Sequence, residues 1–308
     1  MSSGRLSGRV DKAAVSLQAR TTPTHSNARE SLRSTPVVPT RVTDASVRRL
    51  TGQLTPIDYC VLDTLKTVRV ATGGQLRRLY WSDSDTGKRL ARHHLAKLSK
   101  LRLIARLDRR IGGVRAGSDG YTYSLDVAGL RVVADATTNQ RLRRPSTPGD
   151  RYLAHALGIT DRYVDLHQAE ARHEFELLGF EAEPASWRAY TGDHGLQLTI
   201  KPDAFIILAD QDWEHRWFIE VDRATEHRPT ILRRAHEYVS YFLSGTEQAN
   251  TGIFPKVLWI APTDAHAARL TDWLSALEPD ARQLFDICSD SSFPAAIASA
   301  LGGNGGKS

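Results

Sequence analysis

The chain has 308 residues, 41% hydrophobic and 25% charged, with a formal net charge of +6. That length suggests two domains of ordinary globular composition, and the absence of a long apolar run excludes a membrane-spanning helix. Two widely separated cysteines, Cys60 and Cys288, exclude a disulfide framework and a paired-cysteine metal site, which fits a reducing, cytoplasmic compartment.

The charge is segregated along the chain. Residues 1–52 carry +6, residues 53–150 carry +9 and residues 151–308 carry −9. A basic front half joined to an acidic back half points to a nucleic-acid-facing part attached to something else.

Residues 1–48 are rich in Ser, Thr, Arg and Pro without apolar periodicity, and read as a disordered basic tail. Residues 54–69 predict a helix with Thr55 as N-cap, Pro56 in the first turn and Ile57, Val61, Leu62, Leu65 and Val68 on one face. A short helix over 72–80 turns Leu76, Leu79 and Tyr80 inward. A third helix, Thr86 to Leu101, has an apolar face of Leu90, Ala91, Leu95, Leu98 and Leu101. Its other face carries Lys88, Arg89, Arg92, His93, Lys97 and Lys100. Two strand-like stretches, 103–111 and 121–125, flank the loop GGVRAGSDG.

Three helices followed by a hairpin make a winged helix-turn-helix, expected over residues 49–136 with a short closing helix from Asp126. In that fold the third helix enters the major groove and the wing touches phosphates, here through Arg106, Arg109, Arg110 and Arg115. The expected partner is double-stranded DNA. The third helix has no Asn or Gln, so the bases it reads are not legible.

Residues 137–149, TTNQRLRRPSTPG, read as a linker, and residues 150–301 as a second domain before a flexible tail at 302–308. Asp161 to Gly179 predicts a helix placing Glu170, His173 and Glu174 on adjacent turns. Its two readings are an exposed charged face and a metal-ligating one. Helices over 230–243 and 265–277 and strands over 256–261 and 285–288 follow. The fold class is α/β (α+β), with the second domain an α/β sandwich around a mixed sheet.

The second domain centres on Ile200 to Glu226, IKPDAFIILADQDWEHRWFIEVDRATE, which reads as two strands and a polar turn. Strand alternation points Glu220 and Asp222 the same way, and hairpin pairing brings Asp203 near them. Three carboxylates together stay ionised only around a cation, and an all-oxygen set suits Mg²⁺ or Mn²⁺.

An Asp203, a short hairpin and Glu-x-Asp at 220–222 resemble the metal-binding core of the PD-(D/E)XK nuclease superfamily. The string EVDRATE followed by RRAHEYVSYF resembles the replication-relaxation family over roughly residues 50–265. That resemblance implies a winged helix ahead of a nuclease-like core, and a role in plasmid or mobile-element replication or DNA relaxation. Replication or mobilisation proteins, or a second copy of the chain, are its implied partners. The superfamily places a lysine two residues after the second acid. Here that residue is Asp222, and the following helix offers Arg233 and Arg234.

Three readings stay open. In the first the back domain is a degenerate nuclease on a DNA-binding replication protein. In the second it is an active Mg²⁺-dependent endonuclease. Asp203, Glu220 and Asp222, joined by Glu174 or Glu170 from the preceding helix, would then hold the ion, while Arg223, Arg233 or Arg234 steadies developing charge. In the third the chain is a winged-helix transcription regulator.

Overall fold

The computed structural model describes residues 42–110, 120–134, 149–192, 195–210 and 213–302, with the side chains of 108–110 and 302 outside the description. Most of the basic tail, the wing loop with Arg115, most of the linker and the last residues lie outside the described set.

The described chain opens on a helix, α1 (Asp44–Thr51), so the stretch read as disordered up to residue 48 is ordered from there on. The Thr43 side chain caps it by accepting from Ser46 N, and Leu50 is buried at its far end. Two short arginine-rich turns gave no readable periodicity. Tertiary contact holds the helix, including Arg131 Nη1 donating to the Val42 carbonyl at 2.7 Å.

The next three helices start where the local chemistry says they should. α2 (Pro56–Val68) begins with a reciprocal capping box between Thr55 and Asp58, and α3 (Gly73–Tyr80) with another between Thr72 and Gln75. Ser84 caps α4 (Asp85–Lys100). The short β1 (Val70–Thr72) joins β2 (Ile104–Arg110) and β3 (Tyr121–Leu125) in an antiparallel sheet of order β1-β3-β2. α5 (Val127–Val133) closes this unit. Its core gathers Val61, Leu62, Leu65, Leu76, Leu95, Leu98, Leu103 and Ile104. Leu90, expected in that core, is 43% exposed. The stripe through Ala91, Leu95 and Leu98 already fills the contact, and Leu90 lies just outside it.

α6 (Asp150–Ala171) begins earlier and ends sooner than the sequence suggests. The chain leaves the helix at His173, which has a left-handed φ of 62°, and continues as β4 (Glu176–Ala182). A register shift between Leu177 and Gly179 puts Leu177 and Phe180 against the same core. That spacing of three imitates a helix, which is why the segment read as one.

β5 (Arg188–Thr191) and β6 (Gln197–Ile200) pair with each other as a separate ribbon. β7 (Ala204–Ala209) and β8 (Glu214–Val221) form the anticipated hairpin. The main sheet runs β10-β9-β8-β7-β4, where β9 is Lys256–Ala261 and β10 is Phe285–Ser289. β8, β9 and β10 are parallel, while β4 and β7 run antiparallel to their neighbours.

Alternation sorts the strands onto two faces. Ile206, Leu208, Trp217 and Ile219 pack against α6 and α11 (Phe293–Gly302). Phe205, Phe218, Val257 and Trp259 pack against α7 (Arg228–Leu243) and α9 (Asp264–Leu274). On α7 the inward aromatics are Tyr238 and Tyr241, each at 1% exposure, while Phe242 is 37% exposed. The short helices α8 (Thr246–Thr251) and α10 (Pro279–Arg282), and the uniformly apolar α11, gave no amphipathic signal to read.

α6 ties both halves together. Thr160 Oγ1 donates to the Val70 carbonyl at 2.7 Å, and Gln75 Nε2 donates to Leu157 O at 3.0 Å and Asp161 Oδ1 at 2.8 Å. Tyr163 of α6 sits in the core of the helical unit. The described residues pack as one compact unit.

Candidate functional site

The β7–β8 register, with Ala204 opposite Ile219, sets Asp203 across from Glu220 at the strand ends. Both are buried, at 6% and 1% exposure. Asp203 Oδ2 accepts from Val221 N at 2.7 Å, and its Oδ1 meets His155 Nε2 of α6 at 2.9 Å. Glu220 Oε1 accepts from the Tyr238 hydroxyl at 2.6 Å, and Oε2 from Arg234 Nη1 at 2.7 Å. Arg234 also reaches Glu226 at 3.1 Å. Arg234 and Tyr238 lie four apart on α7, so one helix face supplies both donors.

Asp222 goes elsewhere. Its side chain leaves on the same sheet face as Glu220 but turns to α9, where His266 Nε2 meets Oδ2. Its Oδ1 accepts from Ala224 N at 3.0 Å, and Arg269 takes the other nitrogen of the His266 ring. The structure therefore brings Asp203 and Glu220 together with Arg234, and directs Asp222 to a separate buried pair.

Burial is the main reason Glu220 is pushed up to about 8; the Asp203 charge adds to it, and Arg234 and Tyr238 only partly offset it. The Asp203 hydrogen bond raises His155 above the usual histidine range, against the opposing effect of burial. Each acid thus has a basic side chain of the protein against it, His155 at Asp203 and Arg234 at Glu220.

A divalent ion needs several carboxylate oxygens free to face it. Here each oxygen of Asp203 and Glu220 already has a protein partner, and the guanidinium of Arg234 lies against Glu220. Among the described residues no group of three or more His, Cys, Asp or Glu side chains is gathered to hold a metal. As arranged, these donors do not fit Mg²⁺ or Mn²⁺.

The other acids and arginines named from sequence fall outside this cluster. Glu174 lies in the turn beyond α6 and pairs with Arg172, because the helix expected to carry it has already ended. Glu170 meets His167 Nδ1 and Leu177 N. Arg223 is exposed and donates to Ala154 O at 2.8 Å, and Arg233 pairs with Glu237. Sequence reading missed His155 and Tyr238 as site residues. Tyr238 had a signal in its spacing from Arg234, whereas His155 had none, being 48 residues from its partner.

The cationic face of α4 is partly as expected. Arg89, Arg92, His93 and Lys100 are exposed, and none of them forms an ion pair among the described residues. Lys88 lies 3.7 Å from the exposed Asp83. Lys97 is different: its ammonium is 2.6 Å from Asp58, which is fully buried. Arg106 is exposed with its guanidinium 4.1 Å from the Tyr121 ring centre, while the side chains of Arg109 and Arg110, and all of Arg115, lie outside the description.

Among the described residues no helix is long and apolar enough to cross a membrane. No curated protein and no solved structure gave a match. The sequence model of the family described as replication-relaxation matches residues 62–257, from within α2 to the start of β9. That span takes in α4, the β7–β8 hairpin and the whole of α7, and it exceeds half of the chain: the protein belongs to the replication-relaxation family.

Proposed function

We propose that the chain is a double-stranded-DNA-binding protein of plasmid or mobile-element replication, with a winged helix-turn-helix head and a nuclease-derived core that does not cut. The observation that carries the DNA-binding part is the exposed face of α4, where Arg89, Arg92 and Lys100 lack acidic partners among the described residues. Cations left without internal partners release condensed counterions when they meet phosphates, which drives binding and makes it salt-dependent. α4 lies against the three-stranded sheet as a recognition helix lies against its wing, and Arg106 continues the same sign onto β2.

The core supports descent from the PD-(D/E)XK superfamily through its element order. Helix α6 is followed by β4, β7 and β8, then α7, then β9, and the acids stand at the open end of the β7–β8 hairpin. Its loss of cutting rests on the internal partners of Asp203 and Glu220. His155 and Arg234 occupy carboxyl oxygens that an ion would otherwise meet, and Arg234 cannot lose a proton to activate water.

Two assays test the reading. Duplex binding measured across a salt series is expected to weaken about tenfold or more in Arg89→Ala/Arg92→Ala, with a slope shallower by about 2. Unchanged affinity and slope in that variant would sink the head assignment. Supercoiled plasmid incubated with Mg²⁺ or Mn²⁺ is expected to stay intact. Nicking that disappears in both Asp203→Ala and Glu220→Ala would replace this reading with the endonuclease one.

A further inference from the structure

A second set of arginines lies away from α4, where α6 meets the other elements. Arg69 ends α2 with a left-handed φ of 68° and places its guanidinium 5.8 Å from the ring centre of Tyr152. Arg151, beside Tyr152 on the first turn of α6, donates to Thr225 Oγ1 at 3.1 Å. Arg223 donates to the Ala154 carbonyl at 2.8 Å, and the next residue, His155, holds Asp203. A continuous chain of contacts therefore leads from the helical unit, over α6, to the loop beside the buried acids.

All three arginines are exposed, and among the described residues none of them forms an ion pair. Arg151 and Arg223 donate to a hydroxyl and a carbonyl and Arg69 lies against the Tyr152 ring, contacts that fix the guanidinium positions without supplying a carboxylate. Elsewhere on the core Arg162, Arg188, Arg216, Arg233 and Arg234 each face a carboxylate, while Arg228, Arg269 and Arg282 form no ion pair among the described residues, and no contact there joins them to this row. The row is thus a run of unpaired cations from the end of α2, across the start of α6, to the loop after β8. At its middle stands Tyr152, 36% exposed.

We infer that Arg69, Arg151 and Arg223, with Tyr152 between them, form a track for single-stranded DNA separate from the α4 duplex surface. Positioned cations follow a phosphodiester backbone, and an accessible aromatic ring offers a platform for an unpaired base. A duplex keeps its bases stacked inside and has no use for that ring. The strip would hold one strand against the core while α4 holds a duplex, an arrangement suited to a junction between paired and unpaired DNA.

The test uses the full chain, fluorescence anisotropy, a labelled oligothymidine and a labelled duplex. In Arg69→Ala/Arg151→Ala/Arg223→Ala, single-strand affinity is expected to fall at least about tenfold, with the salt slope shallower by about 2. Tyr152→Ala should weaken single-strand binding by about fivefold or more, and Tyr152→Phe should restore it, because stacking needs the ring and not the hydroxyl. Duplex binding should stay unchanged in all of these variants and fall only in the α4 variant. A triple-lysine variant keeps the charge and should retain most of the salt slope, which separates loss of cations from loss of the loop's hydrogen bonds. Unchanged single-strand affinity in the triple-alanine variant overturns the track, and so does a loss confined to duplex. Failure of the α4 variant to affect duplex binding bears on the head alone.

Discussion

At the residue scale, Asp58 shows how much one buried carboxylate can organise. It completes the capping box of α2, and the same two oxygens accept from Lys97 at 2.6 Å and meet His94 Nδ1 at 2.9 Å. Burial alone would raise its pKa. The hydrogen bonds from Lys97, His94 and Thr55 outweigh that and hold it at about 2. A depressed carboxylate stabilises the fold above its unfolded pKa of about 4, and that contribution disappears as pH falls toward 2. Asp58→Ala is expected to cost roughly 3 kcal/mol at neutral pH and to reduce acid sensitivity between about pH 4 and pH 2. Denaturant melts across that range check both.

Glu220 has the opposite sign. A carboxyl raised to about 8 in the fold keeps its proton while the unfolded chain loses it near pH 4, so stability falls as pH rises between those values and levels off above them. Glu220→Gln keeps the shape without the titration, and thermal melts of that variant should show a flatter dependence between pH 5 and pH 8. A slope equal to the parent's would mean another group carries it.

At the element scale, α4 was the most legible part of the chain, because its apolar stripe and its cationic face repeat over four turns. Only Leu90 and Lys97 departed. Lys97 reads as one more surface cation until its partner, 39 residues earlier, is known. The entry to α4 depends on a close approach that sequence hides: a Cβ on Gly87 would lie 2.1 Å from the Ser82 carbonyl oxygen. Gly87→Ala gains helix propensity of about 1 kcal/mol but must displace that backbone. A net destabilisation of about 2 kcal/mol, read from the denaturant midpoint, is expected. A neutral or stabilised variant would show that the turn can yield. In β4 the reverse happened, since one register shift turned a strand's period into a helix's.

At the scale of the whole molecule, α6 is the shared element. It packs on β1 and α3 of the helical unit, lies under the main sheet, and delivers His155 to Asp203. A head docked through buried hydrogen bonds should not melt on its own. Calorimetry is expected to show one cooperative transition, and Thr160→Val with Gln75→Ala should split or broaden it while leaving the core's melting in place. Two separate transitions in the parent chain would show that α6 does not couple the halves.

The sequence by itself determined the basic front and acidic back, the helices α2 to α4 with the cap of the first, the β7–β8 hairpin and the family. Each is written in neighbouring residues, through periods of 3.6 or 2 and through caps a few positions long. Only the tertiary structure decided what the three acids do. Alternation correctly sent Glu220 and Asp222 to one face of the sheet. Which helix each would meet there depends on how α7 and α9 pack. Long-range packing brought Arg234 and Tyr238 to one, His266 to the other, and His155 to Asp203, and partners so far apart in the chain leave no local trace.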